Sequence, residues 1–306
     1  MKNSVKDIQP PLVSICIITY NHEKYIKQTV DSIISQKKNF SYEILIADDS
    51  STDQTQQILI ENYSNVKNIR LILRQQNIGI NGYMTYQEAR GKYIYLCEGD
   101  DYCVGEDSIQ TLVDWLECHE EYAGVCGRRI TLSERTGLMT ISYDAKTDNT
   151  DICLNELIEN SVLFDMCAIL YRNFYSDGVY DYRYYLASKK ISDITRAIYV
   201  LLHGKVFQLS LIIGVYRTDR IRNVSSYNVN NSSAMIFKEY TESLKKLQNL
   251  IGFKLNCKGL KRYYTFEYVN TLVSTYEVLK QLPYIRRMVG VGITMEVIKR
   301  RLLNNR

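Results

Sequence analysis

The sequence predicts an α/β protein: a doubly wound, mostly parallel sheet flanked by helices, followed by a helical C-terminal extension. Three observations support this reading. Near-continuous apolar runs of strand length alternate four times with helix-period segments over the first 130 residues. Turn-forming residues follow the apolar runs. Past residue 234 the helical period continues almost to the end.

Residues 11–18 (PLVSICII) make the first apolar run, as a strand covered on both faces does. Residues 22–36 then place Tyr25, Ile26, Val30, Ile33 and Ile34 at helical spacing. A strand at 42–49, a helix at 52–62, a strand at 69–75 and a short helix over 80–90 follow. A strand at 91–97 and a helix at 106–120 complete the fourth β-α unit. Right-handed crossovers between such units make the strands parallel. Downstream the pattern weakens. Residues 131–152 are polar and turn-rich, a hairpin or loop; 166–172 read as a strand, and 192–204 as a helix ending at Gly204. One or two strands are expected in 205–217 and a loop in 217–233. Helices are expected over 234–251, 258–281 and 284–303.

A chain of 306 residues can bury one large core or a core with an accessory lobe. With 45% hydrophobic and 24% charged residues it has the balance of a soluble globular protein. Its 26 Tyr against one Trp are compatible with sugar or base stacking, and equally with a bias of composition. Eight Cys show no CxxC pair and no metal-like spacing; several lie inside apolar runs, so they read as small core residues of a protein in a reducing, cytoplasmic compartment. The first eleven residues lack an apolar h-region, and no run approaches the ~20 apolar residues of a membrane span. Charge is uneven. From residue 237 onward, 14 Lys+Arg against 5 Asp+Glu give +9, leaving −5 for the first 236 residues. The two ends therefore suit different partners.

In an open parallel sheet, ligands bind beyond the carboxyl ends of the strands. Here the first strand ends in Thr19-Tyr20-Asn21, the second in Asp48-Asp49, and the fourth in Glu98-Gly99-Asp100-Asp101. Two strands thus bring carboxylate pairs to one edge. Clustered carboxylates raise one another's pKa unless a cation or donor balances them. An oxygen-ligated Mg²⁺ or Mn²⁺ is the economical partner, and such an ion commonly shares its shell with phosphates. The alternative is a set of acidic turns, with Ser51 and Gln54 forming a helix capping box.

These segments together, VSICIITYNHEKYIKQTVDSIISQ, EILIADDSSTDQT and NIGINGYMTYQEARGKYIYLCEGDDY, resemble the family 2 inverting glycosyltransferases of the GT-A fold. The likeness is dense over roughly 12–120 and thins toward residue 220. It implies transfer of a sugar from a nucleoside diphosphate, UDP foremost, to an acceptor hydroxyl with Mg²⁺ or Mn²⁺ present. On that resemblance Thr19, Tyr20 and Asn21 lie against base and ribose, and Asp48 and Asp49 contact the nucleobase or ribose. Asp100 is the metal-ligand candidate, with Asp101 or Glu98 in support; Glu98 stands where the family's DxD motif has its first Asp and is placed with the donor-binding residues, touching the ribose, the metal through water, or neither. Asp193, opening the helix at 192, is the candidate general base, with Asp181 or Asp177 as replacements. Asp is also a common N-cap residue without catalysis. Arg217 of the segment GVYR matches a position whose guanidinium approaches the diphosphate. The resemblance divides the chain into a 1–220 glycosyltransferase domain, with donor (1–130) and acceptor (131–220) halves, and a basic helical region at 221–306.

His22, His119 and His203 follow no catalytic spacing and read as structural or surface residues, with a polar contact beside the nucleotide loop the alternative for His22. The tail at 281–306 carries six Lys+Arg and one Glu beside an apolar side. It suits peripheral contact with an anionic membrane, or packing on its own domain or in a homodimer. No nucleic-acid-binding motif accompanies the charge. The acceptor is a glycan, lipid-linked or protein hydroxyl. A sugar nucleotidyltransferase or a non-catalytic nucleotide-sugar-binding protein is the alternative reading, although TYNHEKY lacks the glycines of a phosphate loop.

Overall fold

The computed structural model describes residues 9–141, 149–160, 164, 166–175, 192–218, 233–251, 257–272 and 275–304. In chain order they form β1 (Val13–Thr19), α1 (Ile26–Ile34), β2 (Tyr42–Asp48), α2 (Thr55–Tyr63), β3 (Ile69–Leu73), α3 (Asn81–Gln87), β4 (Tyr93–Glu98), β5 (Tyr102–Cys103) and α4 (Ser108–Glu117). β6 (Tyr122–Ser133), β7 (Met139–Ile141), β8 (Thr150–Ile152), α5 (Leu154–Asn160), β9 (Ile169–Arg172), α6 (Ser192–Leu202) and β10 (Lys205–Thr218) follow. Helices α7 (Ser233–Ile251), α8 (Lys258–Thr271), α9 (Thr275–Val289) and α10 (Val291–Asn304) end the chain.

Two compact units are present, each assembled from three chain segments. The first comprises Met1–Thr150, Asp165–Tyr180 and Phe207–Thr218. Its sheet runs β3-β2-β1-β4-β9-β6-β10-β5. β1 pairs in parallel with β2 and β4, and β2 with β3, as the repeated β-α units require. The expected parallel sheet is therefore one half of a mixed sheet: β9 runs antiparallel to both β4 and β6, and β10 antiparallel to β5. Ile15, Ile17, Ile44, Ile46, Tyr93 and Tyr95 are buried in one core with Ile26, Val30 and Ile33 of α1 and Leu112 and Leu116 of α4. Buried Cys16, Cys97, Cys103 and Cys126 fill this unit as apolar residues, and burial holds the Cys97 thiol well above its ordinary pKa.

Strand β6 is not apparent from the sequence. It carries buried Arg128 in place of an apolar residue, and it reaches into the polar stretch read as hairpin or loop. A hairpin does form there, with Ile130 opposite Ile141 and Leu132 opposite Met139. Residues 142–148, 176–191 (with Asp177 and Asp181) and most of the expected 217–233 loop lie outside the described residues.

The second unit comprises Asp151–Phe164, Asp181–Val206 and Asp219–Arg306. Helix α8 packs against α5, α7 and α10, burying Leu260 and Val269. The expected 258–281 helix stops at Thr271, where Leu272 turns extended (ψ 120°). The expected break near Pro283 is absent; α9 runs through that residue and ends before Gly290, whose φ of +86° closes the helix. The tail buries Ile285, Ile293 and Val297 within this unit, while Leu279, Val291 and Met295 are exposed. Among the described residues no helix is long and apolar enough to cross a membrane.

At the start of the parallel strands, Glu43 is buried. It accepts from Ser14 Oγ at 2.6 Å, from the Arg90 N–H at 2.9 Å and from the Arg90 guanidinium at 3.0 and 2.6 Å. Burial alone would raise its pKa, but the Arg90 and Ser14 bonds outweigh it and hold the carboxyl below the usual range. We predict that Glu43→Gln costs about 2 kcal/mol near pH 7, read from urea unfolding. Because the folded pKa is lowered, wild-type Glu43 stabilises fully above about pH 4.5 and loses that advantage as pH falls through the folded value. Curves of variant and wild type that stay parallel down to pH 3 would contradict the assignment.

Candidate active site

The parallel register aligns the strand exits. Thr19 lies opposite Asp48, and Ile18 opposite Glu98, so β1, β2 and β4 end at one level. The main chain ties the exits together: Asp49 N–H donates to Thr19 O at 3.0 Å, and Gly99 N–H donates to Ile18 O at 2.8 Å. Beyond them, the loops after β1 and β2 latch onto each other. Asn21, in left-handed conformation (φ 57°), donates its N–H to Ser51 Oγ at 2.8 Å and accepts from Thr52 N–H at 2.7 Å. His22 N–H donates to Thr55 Oγ1, Glu23 N–H to Asp53, and Gln54 N–H back to Glu23. Tyr20 stands 38% exposed beside this latch.

Asp48 and Asp49 are both buried, and both have partners within the protein. Asp48 accepts from the Ser51 N–H at 2.9 Å, the Ser51 hydroxyl and Gln56 Nε2 at 2.5 Å. Asp49 accepts from the N–H groups of Ile78 and Gly79 at 2.9 and 3.2 Å, which fastens the segment after β3 to the strand edge. The Ser51–Gln54 capping box does not form. Ser51 turns to Asp48, and Asp53 instead accepts from the Thr55 N–H at the start of α2.

The second acidic group is tighter. One carboxylate oxygen each of Glu98, Asp100 and Asp101 lies within 4.8 Å of the others. Asp100 and Asp101 are buried and Glu98 is half-buried. Burial, followed by the nearby Glu98 charge, pushes the Asp101 carboxyl up to about 8; the Arg217 N–H and the Arg129 and Arg217 charges pull the other way. Among the described residues, Asp101 Oδ2 and the neighbouring Thr19 Oγ1 are buried without a hydrogen-bond partner. Three converging carboxylates with an unpartnered buried oxygen form a hard-oxygen donor set that fits Mg²⁺ or Mn²⁺.

Two further residues reach this turn: His22, which the sequence reads as structural or surface, and Thr29, to which it gives no role. His22 Nε2 approaches Asp100 Oδ2 to 3.3 Å. Thr29 Oγ1 lies 3.0 Å from Gly99 O and 2.7 Å from Asp101 O. Its position in the loop after β1 was the available clue for His22; for Thr29, at mid-helix, there was none. Arg217 is buried behind the turn, its guanidinium bonded to Asp100 O, Gln28 and Glu134. Asp193 belongs to the second unit. It lies in the first turn of α6, its side chain 60% exposed and paired with Arg196.

Residues 14–178 match the family model described as Glycosyl transferase family 2. The chain belongs to this family. It is 32% identical over 154 residues to the uncharacterized protein Rv1520 of Mycobacterium tuberculosis, covering 49% of this chain and 44% of that one. It is 26% identical over 185 residues to the abequosyltransferase RfbV of Salmonella typhimurium, covering 58% and 53%. The chain thus spans about half the length of these curated relatives. The crystal structure of S. aureus TarS 1–349 in complex with UDP-GlcNAc shares the fold, with a TM-score of 0.62 at 16% identity over 92% of this chain and 82% of that one. The GT-A fold expected from the sequence is therefore the fold found.

Gly99 sets the fit of the acidic turn. A Cβ there would stand 2.6 Å from both Cβ and Oγ1 of Thr19, and 2.9 Å from His22 Nδ1. We predict that Gly99→Ala lowers stability by about 1–3 kcal/mol in chemical denaturation. A variant as stable as wild type would contradict the close packing of turn on strand.

Proposed function

We propose that this chain is a nucleotide-sugar-dependent glycosyltransferase. It moves a sugar from a nucleoside diphosphate, UDP foremost, to an acceptor hydroxyl with inversion, in the synthesis of a surface polysaccharide or related glycoconjugate. The observation that carries this reading is the turn Glu98–Asp101: buried carboxylates at the carboxyl edge of the parallel strands, one of them with an unpartnered oxygen. The family membership supports the reaction class, and the UDP-GlcNAc complex of the TarS neighbour supports the donor class.

In this reading Asp100 and Asp101 hold Mg²⁺ or Mn²⁺, with Glu98 beside them. When bound, the cation offsets negative charge on the leaving diphosphate. The chain does the rest. Tyr20 and Asn21 bound the base and ribose pocket, Thr19 closes its floor, and Asp49 fixes the 78–79 segment as its wall. Asp48, bonded three times by Ser51 and Gln56, keeps the loop after β2 in shape. Asp193 receives the proton of the acceptor hydroxyl as it attacks the anomeric carbon from the face opposite the diphosphate. Its side chain is exposed and pairs with Arg196 within the first turn of α6. The exposed apolar residues and positive charge of the C-terminal helices suit peripheral contact with an anionic membrane, where lipid-linked acceptors reside.

Incubation with a panel of labelled nucleotide sugars and Mn²⁺ tests the reading. A UDP-sugar should bind in a Mn²⁺-dependent manner, and Asp100→Asn should abolish that dependence. Asp193→Asn should retain donor binding while its turnover falls about 10²–10⁴-fold. Absence of binding by any nucleotide sugar, with or without metal, would refute the transferase reading. Loss of donor binding in Asp193→Asn would refute the base assignment alone.

A further inference from the structure

Strand β10 runs antiparallel past β5, with Gly214 opposite Cys103 and Val215 opposite Tyr102. Continued by two residues, this register carries Arg217 to the level of Asp100 and Asp101. There its main-chain N–H donates to Asp101 Oδ1 at 3.0 Å. Nη1 donates to the Asp100 carbonyl, Nη2 to Gln28 Oε1, and Nε pairs with Glu134 at 2.8 Å. The rings of Tyr25 and Tyr102 lie 4.9 and 4.7 Å from the guanidinium carbon. Only 4% of the residue is exposed. All three guanidinium nitrogens are engaged by protein, and the charge is sheathed by aromatic rings.

A guanidinium so enclosed cannot reach a diphosphate without breaking an ion pair and two hydrogen bonds. Its effect falls on the acidic turn. The bond to the Asp100 carbonyl fixes the peptide between the two aspartates. The bond to Asp101 Oδ1 orients that carboxylate within the cluster it forms with Glu98 and Asp100, and its buried Oδ2 has no hydrogen-bond partner among the described residues. Buried positive charge next to three carboxylates also reduces their mutual repulsion before any cation arrives. A lysine would keep the charge but not the planar fork that spans the turn, Gln28 and Glu134 together.

We propose that Arg217 is a positioning residue, which presets the Asp100–Asp101 turn for its cation and does not contact the donor diphosphate. This rests on the metal-assisted transferase reading and replaces the diphosphate contact implied by the family resemblance. Gln28 and Glu134 act through it, as the two struts that hold the guanidinium.

Hydrogen exchange and calorimetry on the full chain test the proposal with Arg217→Lys and Arg217→Gln. Without ligand, amides of residues 98–103 should exchange about tenfold faster in Arg217→Lys than in wild type. The gain in UDP affinity on adding Mn²⁺ should fall about tenfold, while UDP affinity in EDTA changes less than about twofold. The reverse pattern, with metal-free UDP affinity lost and protection of 98–103 intact, would make Arg217 a diphosphate ligand and overturn the proposal. Should these variants not fold, Gln28→Leu and Glu134→Gln each remove one strut and should loosen 98–103 about threefold; unchanged exchange in both would equally overturn it. If wild-type protein binds neither Mn²⁺ nor UDP, the transferase reading fails separately, and the exchange rates still decide whether Arg217 holds the turn.

Discussion

The structure of the first unit is organised around repulsion among three carboxylates. Glu98, Asp100 and Asp101 crowd within 4.8 Å, two of them buried. Burial and the Glu98 charge act together to push Asp101 up to about 8. Such a turn is stable only where the surrounding fold supplies donors and positive charge. α1 provides the Thr29 hydroxyl, which donates to the Gly99 and Asp101 carbonyls, and β10 provides Arg217, which donates to Asp101 and to the Asp100 carbonyl. Gln28 and Glu134 accept from Arg217 and hold its guanidinium there, and the Gly99 N–H is tied to the Ile18 carbonyl of β1.

The two halves of the sheet divide the work. The parallel half gathers the strand exits at one level, so that Asp48, Asp49 and Glu98 arrive together without any long-range loop. The antiparallel half returns the chain more than a hundred residues later to brace what the parallel half has exposed. Within the loops, carboxylates are spent on backbone: Asp48 on Ser51, Asp49 on Ile78 and Gly79, Asp53 on Glu23 and Thr55. Asp101 differs, since one of its buried oxygens has no such partner. That difference singles out the 98–101 turn from the other acidic turns on the same edge.

The parallel half was legible in the sequence because its information is local. Strands buried on both faces read as unbroken apolar runs, and the intervening helices keep their own period. The acidic edge was legible for the same reason, as residues directly following those runs. What depends on distant register was not legible. β5 is two residues long, and β6 carries a buried arginine where a strand pattern expects an apolar side chain. The enclosure of Arg217 follows from its pairing level beside β5, which no local pattern encodes. His22 reads as a structural or surface residue in the sequence, and the fold brings it to within 3.3 Å of Asp100. The helix boundary expected between 281 and 284 falls at Pro283, where the helix continues: proline weakens a helix without always ending it, and here Gly290 does so.

The central claim is that the Asp100–Asp101 turn, braced from behind, holds a divalent cation for a nucleoside diphosphate. Anomalous diffraction from crystals grown with Mn²⁺ and UDP tests it most directly. The account predicts one strong anomalous peak in coordination contact with carboxylate oxygens of both Asp100 and Asp101 and with the diphosphate, and Arg217 still on the Asp100 carbonyl. Nucleotide bound at this edge with no peak at the turn, or with Arg217 swung out onto the phosphates, would contradict it.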